Sequence, residues 1–224
     1  MITSADSRAP TAPPPTIVQC DFDGTITIED ASFIMLDAYA RGDWHKVHDL
    51  YEASKISVGR FNEDAFGLVG ATREQLLDAI KGKVAIRAGF PEFVLSCRER
   101  GFRLVVVSNG LDFYIHEILE EIGFPDIEVH GATTRFYDNK VAVQYVGPDG
   151  KPLDDAFKEA YVSLFLGLGY RVAYVGNSSS DYMPAKKCHR IFATGTLLET
   201  CHKAHLDCIP FSDFYDIVKA MEMI

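Results

Sequence analysis

The stretch Ile17-Val18-Gln19-Cys20-Asp21-Phe22-Asp23-Gly24-Thr25-Ile26-Thr27 constrains the fold more than any other part of the chain. An apolar, β-type run ends in two carboxylates one residue apart, and Gly and Thr then punctuate a turn. Alternate side chains of a strand share a face, so Asp21 and Asp23 both look out of the strand's carboxyl end. In a parallel α/β sheet, ligands bind beyond that end. Two like charges this close repel each other unless a cation or a proton joins them. Magnesium, a hard cation with a preference for oxygen ligands, meets that need. Asp-Gly is also hairpin chemistry, so the pentapeptide alone is compatible with a plain turn, and segments further along must decide.

Three such segments follow in a fixed order. Leu104-Val105-Val106-Val107-Ser108-Asn109-Gly110 is a second buried-strand run, ending in a hydroxyl, an amide and a glycine. Lys158 lies near the start of a helical stretch over 154–168. Arg171-Val172-Ala173-Tyr174-Val175-Gly176-Asn177-Ser178-Ser179-Ser180-Asp181 is a third strand that runs into a polar, acidic loop. Strands alternating with helices imply right-handed crossovers and a doubly wound parallel sheet.

Taken together, these segments resemble the four signature motifs of the haloacid-dehalogenase (HAD) superfamily of phosphohydrolases. The resemblance runs from about Ile17 to the C-terminus, and it implies a Rossmann-like α/β core that carries a small inserted helical cap. The phrases Asp21 to Thr27 followed by Asp30, and Ser108-Asn109-Gly110-Leu111-Asp112-Phe113-Tyr114-Ile115, are similar to phosphoserine-phosphatase-type members. They are nearer still to the methionine-salvage branch, which dephosphorylates a hydroxyketo-methylthiopentenyl phosphate. The hairpin after His130 shows no cysteine cluster such as some members of that branch carry.

The chemistry of the residues points the same way. Asp21 is placed as a nucleophile that forms an aspartyl-phosphate, splitting one hard displacement into two. Asp23 is placed to protonate the leaving oxygen and later to deprotonate water. Phosphoryl transfer spreads negative charge over the equatorial oxygens, so donors and cations do most of the work. Ser108 and the amides near Asn109 and Gly110 supply donors, and Lys158 a positive charge. Gly24 belongs to the phosphate-binding loop and shapes it rather than reacts. In isolation, Ser108-Asn109-Gly110 also reads as a strand-to-helix turn and Lys158 as a solvated surface residue. A magnesium ion is expected on Asp21, the main-chain carbonyl of Asp23, Asn177 and Asp181. Here the chain departs from the Gly-Asp-x-x-x-Asp form that the resemblance leads one to expect, because Asn177 replaces the first aspartate. An amide oxygen carries no charge and makes a weaker ligand for a hard cation.

Apolar spacing predicts helices over 31–40, 44–56, 63–69 and 73–80, the last opened by Thr72 with Gln75 at capping-box spacing. The expected organisation is a tail over 1–15, a core over 16–29 and 86–224, and a helical cap over 30–85. A cap of this kind covers an acidic site, excludes water and selects substrates. Asp30 and Glu29 fall at its entrance, where they either meet a polar group of the substrate or stabilise a helix N-terminus.

Composition sets the outer bounds. The net charge of −10 argues against nucleic acid or an anionic membrane as partner, while a local cation and a metal still admit a small phosphorylated metabolite. An apolar run of about 20 residues, as a membrane span requires, is absent. Five cysteines are an odd count in a chain of 224 residues, long enough to fold without disulfides, and this fits a reducing cytoplasm. The function implied is a magnesium-dependent phosphomonoester hydrolase acting through an aspartyl-phosphate. Two readings stand beside it. One is a phosphatase for phosphoserine or another phospho-amine, with Arg41, Arg60 or Arg73 as the groups that would greet it. The other is a non-catalytic HAD-fold binding protein whose metal site Asn177 has weakened. Nothing in the sequence specifies an oligomeric state.

Overall fold

The computed structural model describes residues 13–223, so most of the expected tail, up to residue 12, lies outside the described residues. The strands are β1 (Thr16–Cys20), β2 (Arg103–Leu111), β3 (Glu128–Tyr137), β4 (Lys140–Gln144), β5 (Arg171–Gly176), β6 (Arg190–Ala193) and β7 (Ile209–Pro210). They form one sheet in the order β4-β3-β2-β1-β5-β6-β7. Neighbours pair in parallel except β3 with β4. Every residue of β1 is buried, and β5 is buried from Val172 to Gly176, as strands covered on both faces must be. β1 lies between β2 and β5, where the winding order reverses, and a doubly wound sheet opens its binding crevice at that point.

Between β1 and β2 come α1 (Ala31–Tyr39), α2 (Trp44–Glu52), α3 (Val58–Gly67), α4 (Arg73–Ile80) and α5 (Phe90–Glu99). Thr72 and Gln75 form the expected capping box at the start of α4. α3 starts earlier than its apolar spacing suggests because Ser57 caps it, accepting from Arg60 N at 3.1 Å. α2 ends sooner than expected, just before Ser54, which sits in the left-handed region at φ 54°. The chain leaves for α1 and returns from α4 along two antiparallel segments, with Ile28 N donating to Ala85 O and Arg87 N to Ile26 O. Apolar residues of α1 and α3, among them Met35, Leu36, Phe61 and Phe66, join the same continuous cluster as the sheet.

After β2 follow α6 (Asp112–Glu121), α7 (Phe157–Gly167), a short turn of helix over Ser179–Asp181, α8 (Tyr182–Ala185), α9 (Gly195–Lys203) and α10 (Phe214–Ala220). Two strands run longer than their apolar runs predict. β2 continues through Ser108-Asn109-Gly110 with a register shift against β3 between Val107 and Leu111, a bulge of the kind that re-aims side chains beside a site. β3 is one strand that pairs in parallel with β2 and then antiparallel with β4, turning at Asp138-Asn139 with positive φ at both residues. α7 begins at Phe157 rather than at Asp154, after Ala156 in the left-handed region.

Phe214 holds the last helix to the fold. Its ring lies 5.2 Å from Phe90 and 5.0 Å from Phe93 of α5, and it is fully buried. Phe214→Ala is expected to lower unfolding free energy by about 3–5 kcal/mol in urea titrations. A loss below about 1 kcal/mol would show that α10 contributes little to the core.

Candidate active site

Lys158 is the centre of the polar cluster at the carboxyl ends of β1 and β5. Its ammonium lies 2.8 Å from Asp21 Oδ1 and 2.7 Å from Asp181 Oδ1, and all three residues are buried. Gln19, two residues before Asp21 on the same strand face, ties β1 to the lysine's own backbone through Nε2 to Lys158 O at 3.0 Å. Burial opposes the charge on Lys158, but the two carboxylates outweigh it and hold the ammonium protonated well above the ordinary range. Burial, and then Asp181, push Asp21 up to about 7 although Lys158 pulls the other way. Burial works against ionised Asp181 too; there Lys158 and the donors of Ser178 and Tyr174 prevail, and its carboxyl stays below the usual range.

The geometry corrects one assignment. Asp181 is expected as a magnesium ligand, yet its oxygens are already filled. Oδ1 accepts from Lys158 and from Tyr174 Oη, both at 2.7 Å. Oδ2 accepts from Asn177 N at 3.0 Å, Ser178 N at 2.9 Å and Ser178 Oγ at 3.1 Å. Five donors leave no lone pair for a cation, so Asp181 anchors the lysine and closes the 177–181 loop.

The remaining candidates line one cavity of about 570 Å³: Asp21, Asp23, Gly24, Asp30, Ser108, Asn109, Gly110, Lys158 and Asn177. A second hollow of about 660 Å³ shares Tyr51, Val58, Asn109 and Lys158 with it and is lined from the end of α2 and the start of α7. Ser108 Oγ accepts from Gly110 N at 3.0 Å, which leaves the hydroxyl proton free to donate into the cavity and takes the Gly110 amide out of the expected donor set. Gly24 N donates to Thr27 Oγ1 at 3.3 Å, so this glycine serves as the turn, at φ +73°, rather than as a phosphate donor. It also leaves room for Asn177, whose Nδ2 would sit 2.2 Å from a Cβ at position 24. Asp30 caps α1, the helix N-terminal role expected of it, accepting from Phe33 N at 3.0 Å, and it also lines the cavity. Glu29 instead accepts from Ala85 N at 2.8 Å, locking the two connecting segments together.

Several contributors carry no clear mark in the sequence. Arg87 donates to the carbonyls of Gly24 at 2.6 Å and Thr25 at 2.8 Å, fixing the loop after Asp21. Asn62 of α3 is buried and donates to Tyr145 Oη at 2.7 Å and to Asn109 O at 3.3 Å, and Tyr145 also donates to Asn109 O. Asn62 stands beside Glu63 and Asp64, so its neighbours do not mark it as a buried amide that must find partners. Arg87 lies in a segment without periodicity and offered no signal, and Tyr145 falls in the alternating stretch 135–146, where it reads as a strand residue of a hairpin. Tyr114 hydrogen-bonds Asp23.

Opposite the acidic floor, the wall is aromatic. Phe33, His48, Tyr51 and Phe61 line it, with His48 edge-on to Phe33 at 5.1 Å and to Phe61 at 5.4 Å. No arginine is among the described residues that line this cavity. Arg41 reaches Gly70 O, Arg60 pairs with Asp64 at 2.7 Å, and Arg73 pairs with Glu117 at 2.8 Å, all away from it.

The residues fit a hard cation in charge and in donor type. Asp21 and Asp181 share the single ammonium of Lys158, and the half-buried Asp23 and Asp30 line the same cavity as Asp21, an excess of carboxylate that a dication would offset. The available donors are oxygens: the Asp21 carboxylate, the Asp23 carbonyl and the Asn177 amide. The Asn177 amide oxygen accepts from Thr25 Oγ1 at 3.0 Å. Among the described residues no group of three or more His, Cys, Asp or Glu forms a metal cage, so any such ion relies on the Asp21 carboxylate together with main-chain and amide oxygens.

The raised value at Asp21 has a measurable consequence. A carboxyl lifted from 3.8 to about 7 contributes stability that is present below the unfolded value and lost as pH rises through 7. In chelator, wild type should therefore lose melting temperature relative to Asp21→Asn as pH climbs through that range. A gap that stays constant with pH would contradict the assignment.

A family model, haloacid dehalogenase-like hydrolase, matches residues 18–185. The 2-hydroxy-3-keto-5-methylthiopentenyl-1-phosphate phosphatase of Geobacillus kaustophilus is 29% identical over 92% of this chain and 95% of its own length. The protein of the same description from Exiguobacterium sp. is 28% identical over 92% and 97%. Among solved structures, a substrate-bound phosphoserine phosphatase superposes with a TM-score of 0.68 at 18% identity, covering 93% of this chain and 99% of that one. A phosphoserine phosphatase with an analogue of its phospho-aspartyl intermediate gives 0.66 at 18% identity over 92% and 98%. With its sheet order, its acidic cluster and these likenesses together, the chain belongs to the haloacid dehalogenase-like hydrolase family, among its phosphatases.

Proposed function

We propose that the chain hydrolyses the phosphomonoester of a small metabolite with an uncharged, largely apolar tail, through an aspartyl-phosphate on Asp21 and with magnesium as cofactor. The observation that carries this reading is the pairing of a Lys158–Asp21 floor with an arginine-free aromatic wall across one cavity. Asp21 uses one oxygen to hold Lys158 and attacks phosphorus with the other. As that bond forms, the bond from phosphorus to the leaving oxygen breaks, and Asp23 gives the leaving oxygen its proton. Water then attacks the aspartyl-phosphate, its proton passes to Asp23, the bond from phosphorus to Asp21 breaks, and inorganic phosphate departs. Lys158 and the Ser108 hydroxyl bind the phosphoryl oxygens, where charge spreads in the transition state. Magnesium, held by Asp21, the Asp23 carbonyl and Asn177, would supply the positive charge that lets a dianion enter an acidic site. The phosphoserine phosphatase captured with a phospho-aspartyl intermediate analogue shares this fold and supports the covalent route.

The inserted helices over 30–85 act as a cap in this reading: they contribute the aromatic wall and exclude water. The relatives' methylthiopentenyl phosphate suits such a wall, because a thioether packs favourably against aromatic rings. Phosphoserine would bring a carboxylate and an ammonium, and the wall presents no arginine to the former. The non-catalytic reading rests on Asn177 alone, whereas Asp21, Asp23, Ser108 and Lys158 converge on one cavity. We infer a cytoplasmic setting from five free cysteines; no helix of the described residues is long and apolar enough to cross a membrane.

Phosphate release from a panel of small phosphomonoesters, with magnesium or with chelator, tests the proposal. The expected result is magnesium-dependent turnover that favours 2-hydroxy-3-keto-5-methylthiopentenyl phosphate over phosphoserine by at least about tenfold in kcat/KM, or about 1.4 kcal/mol. Turnover should vanish in Asp21→Asn. Preference for phosphoserine would overturn the substrate class, and silence from folded protein would overturn the enzyme reading.

A further inference from the structure

Asp23, the acid and base of the proposed reaction, is gripped at both oxygens. Oδ1 accepts from Ala31 N at 2.9 Å, in the first turn of α1. Oδ2 accepts from the hydroxyl of Tyr114, a fully buried residue of α6. A buried tyrosine needs a partner for its hydroxyl, and this one has two, because Ser32 Oγ lies 3.0 Å from Tyr114 Oη. The result is a chain from Ser32 through Tyr114 to Asp23 that joins the helical insertion, α6 and the loop after β1.

Gly110 is shaped around this chain. A Cβ at position 110 would stand 2.0 Å from Tyr114 Oη and 2.4 Å from Asp23 Oδ2, closer than any side chain tolerates. The bulge that ends β2 therefore carries a glycine where the tyrosine and the carboxyl meet. The Gly110 amide is turned back to Ser108 and takes no part in the chain. What the glycine provides is space.

We propose that Tyr114 is a positioning residue: its hydroxyl holds the Asp23 carboxyl in the orientation from which it delivers a proton to the leaving oxygen. This rests on the phosphatase reading above. With Oδ1 tied to Ala31 and Oδ2 to Tyr114, the carboxyl plane is fixed in a group that lines the cavity. Without the hydroxyl, the carboxyl keeps one tether and is free to turn about its last torsion. Proximity and orientation of this kind are among the larger contributions to rate in pre-organised sites.

Tyr114→Phe keeps the ring and removes the tether. Single-turnover rates measured across phosphomonoesters from nitrophenyl to alkyl leaving groups read the proton-delivery step directly. Nitrophenolate leaves without a proton, whereas an alkoxide requires one. The expected result is a loss of about tenfold on alkyl phosphates with little loss on nitrophenyl phosphate, and KM unchanged on both. An equal loss on all leaving groups would reduce Tyr114 to a packing role, and no loss on any would remove it from the reaction; either overturns the proposal. Gly110→Ala, which forces the tyrosine and the carboxyl apart, should reproduce the same leaving-group dependence, and the double variant should add nothing further. An Asp21→Asn control that still released phosphate would sink the phosphatase reading itself, a failure distinct from any result at Tyr114.

Discussion

The buried ammonium of Lys158 between Asp21 and Asp181 is the interaction on which the site depends. Three charged side chains out of water are costly, and removing the middle one would leave two carboxylates facing each other. The fold meets that cost with neighbours. Tyr174, Ser178 and the amide of Asn177 satisfy Asp181, so the lysine is held from behind and presents Asp21 to the cavity with one oxygen engaged. β1 and β5 bring the two acids together because they are adjacent, parallel and in register from Thr16–Arg171 to Cys20–Val175. The switch point of the sheet is thus the place where the charge cluster can be assembled from strands distant in sequence.

A second set of contacts joins the catalytic loop to the helical insertion. Arg87 clamps the loop carbonyls from the returning segment, Glu29 ties the outgoing one to Ala85, and Asn62 reaches from α3 to the carbonyl of Asn109. α3 comes close enough for Gly59 N to donate to Asp154 O at 2.9 Å, an approach that leaves a side chain no room, since a Cβ there would stand 2.6 Å from that oxygen. The insertion is therefore seated on the core by backbone and side-chain hydrogen bonds, and Asp23 is held by its first turn. Substrate selection by the wall and proton delivery by Asp23 share this seating.

Much of this was legible in the sequence because the informative residues sit where continuous apolar strand runs stop abruptly. Asp21, Ser108 and Asn177 each follow such a run, and the structure gathers them around one cavity. The parallel sheet followed from the alternation of strands and helices, and the capping box of α4 from Thr72 and Gln75. What escaped has physical reasons. Whether an acid in a polar loop binds metal or lysine depends on which donors the folded loop turns toward it, and Asp181 receives five. The bulge through Ser108-Asn109-Gly110 hides in a run that reads equally well as a turn. Tyr114 lies on an apolar helix face and reads as core; only its distance to Asp23, across 91 residues of chain, reveals the hydroxyl's partner.

Acid-quenched enzyme, taken during turnover of its phosphomonoester substrate and mapped by peptide mass spectrometry, tests the central claim most directly. One added phosphoryl group is expected on the peptide that contains Asp21, carried by Asp21 itself and absent from Asp21→Asn. Steady phosphate release with no phosphorylated peptide under conditions that trap aspartyl-phosphates, or a phosphoryl group on any other residue, would contradict it.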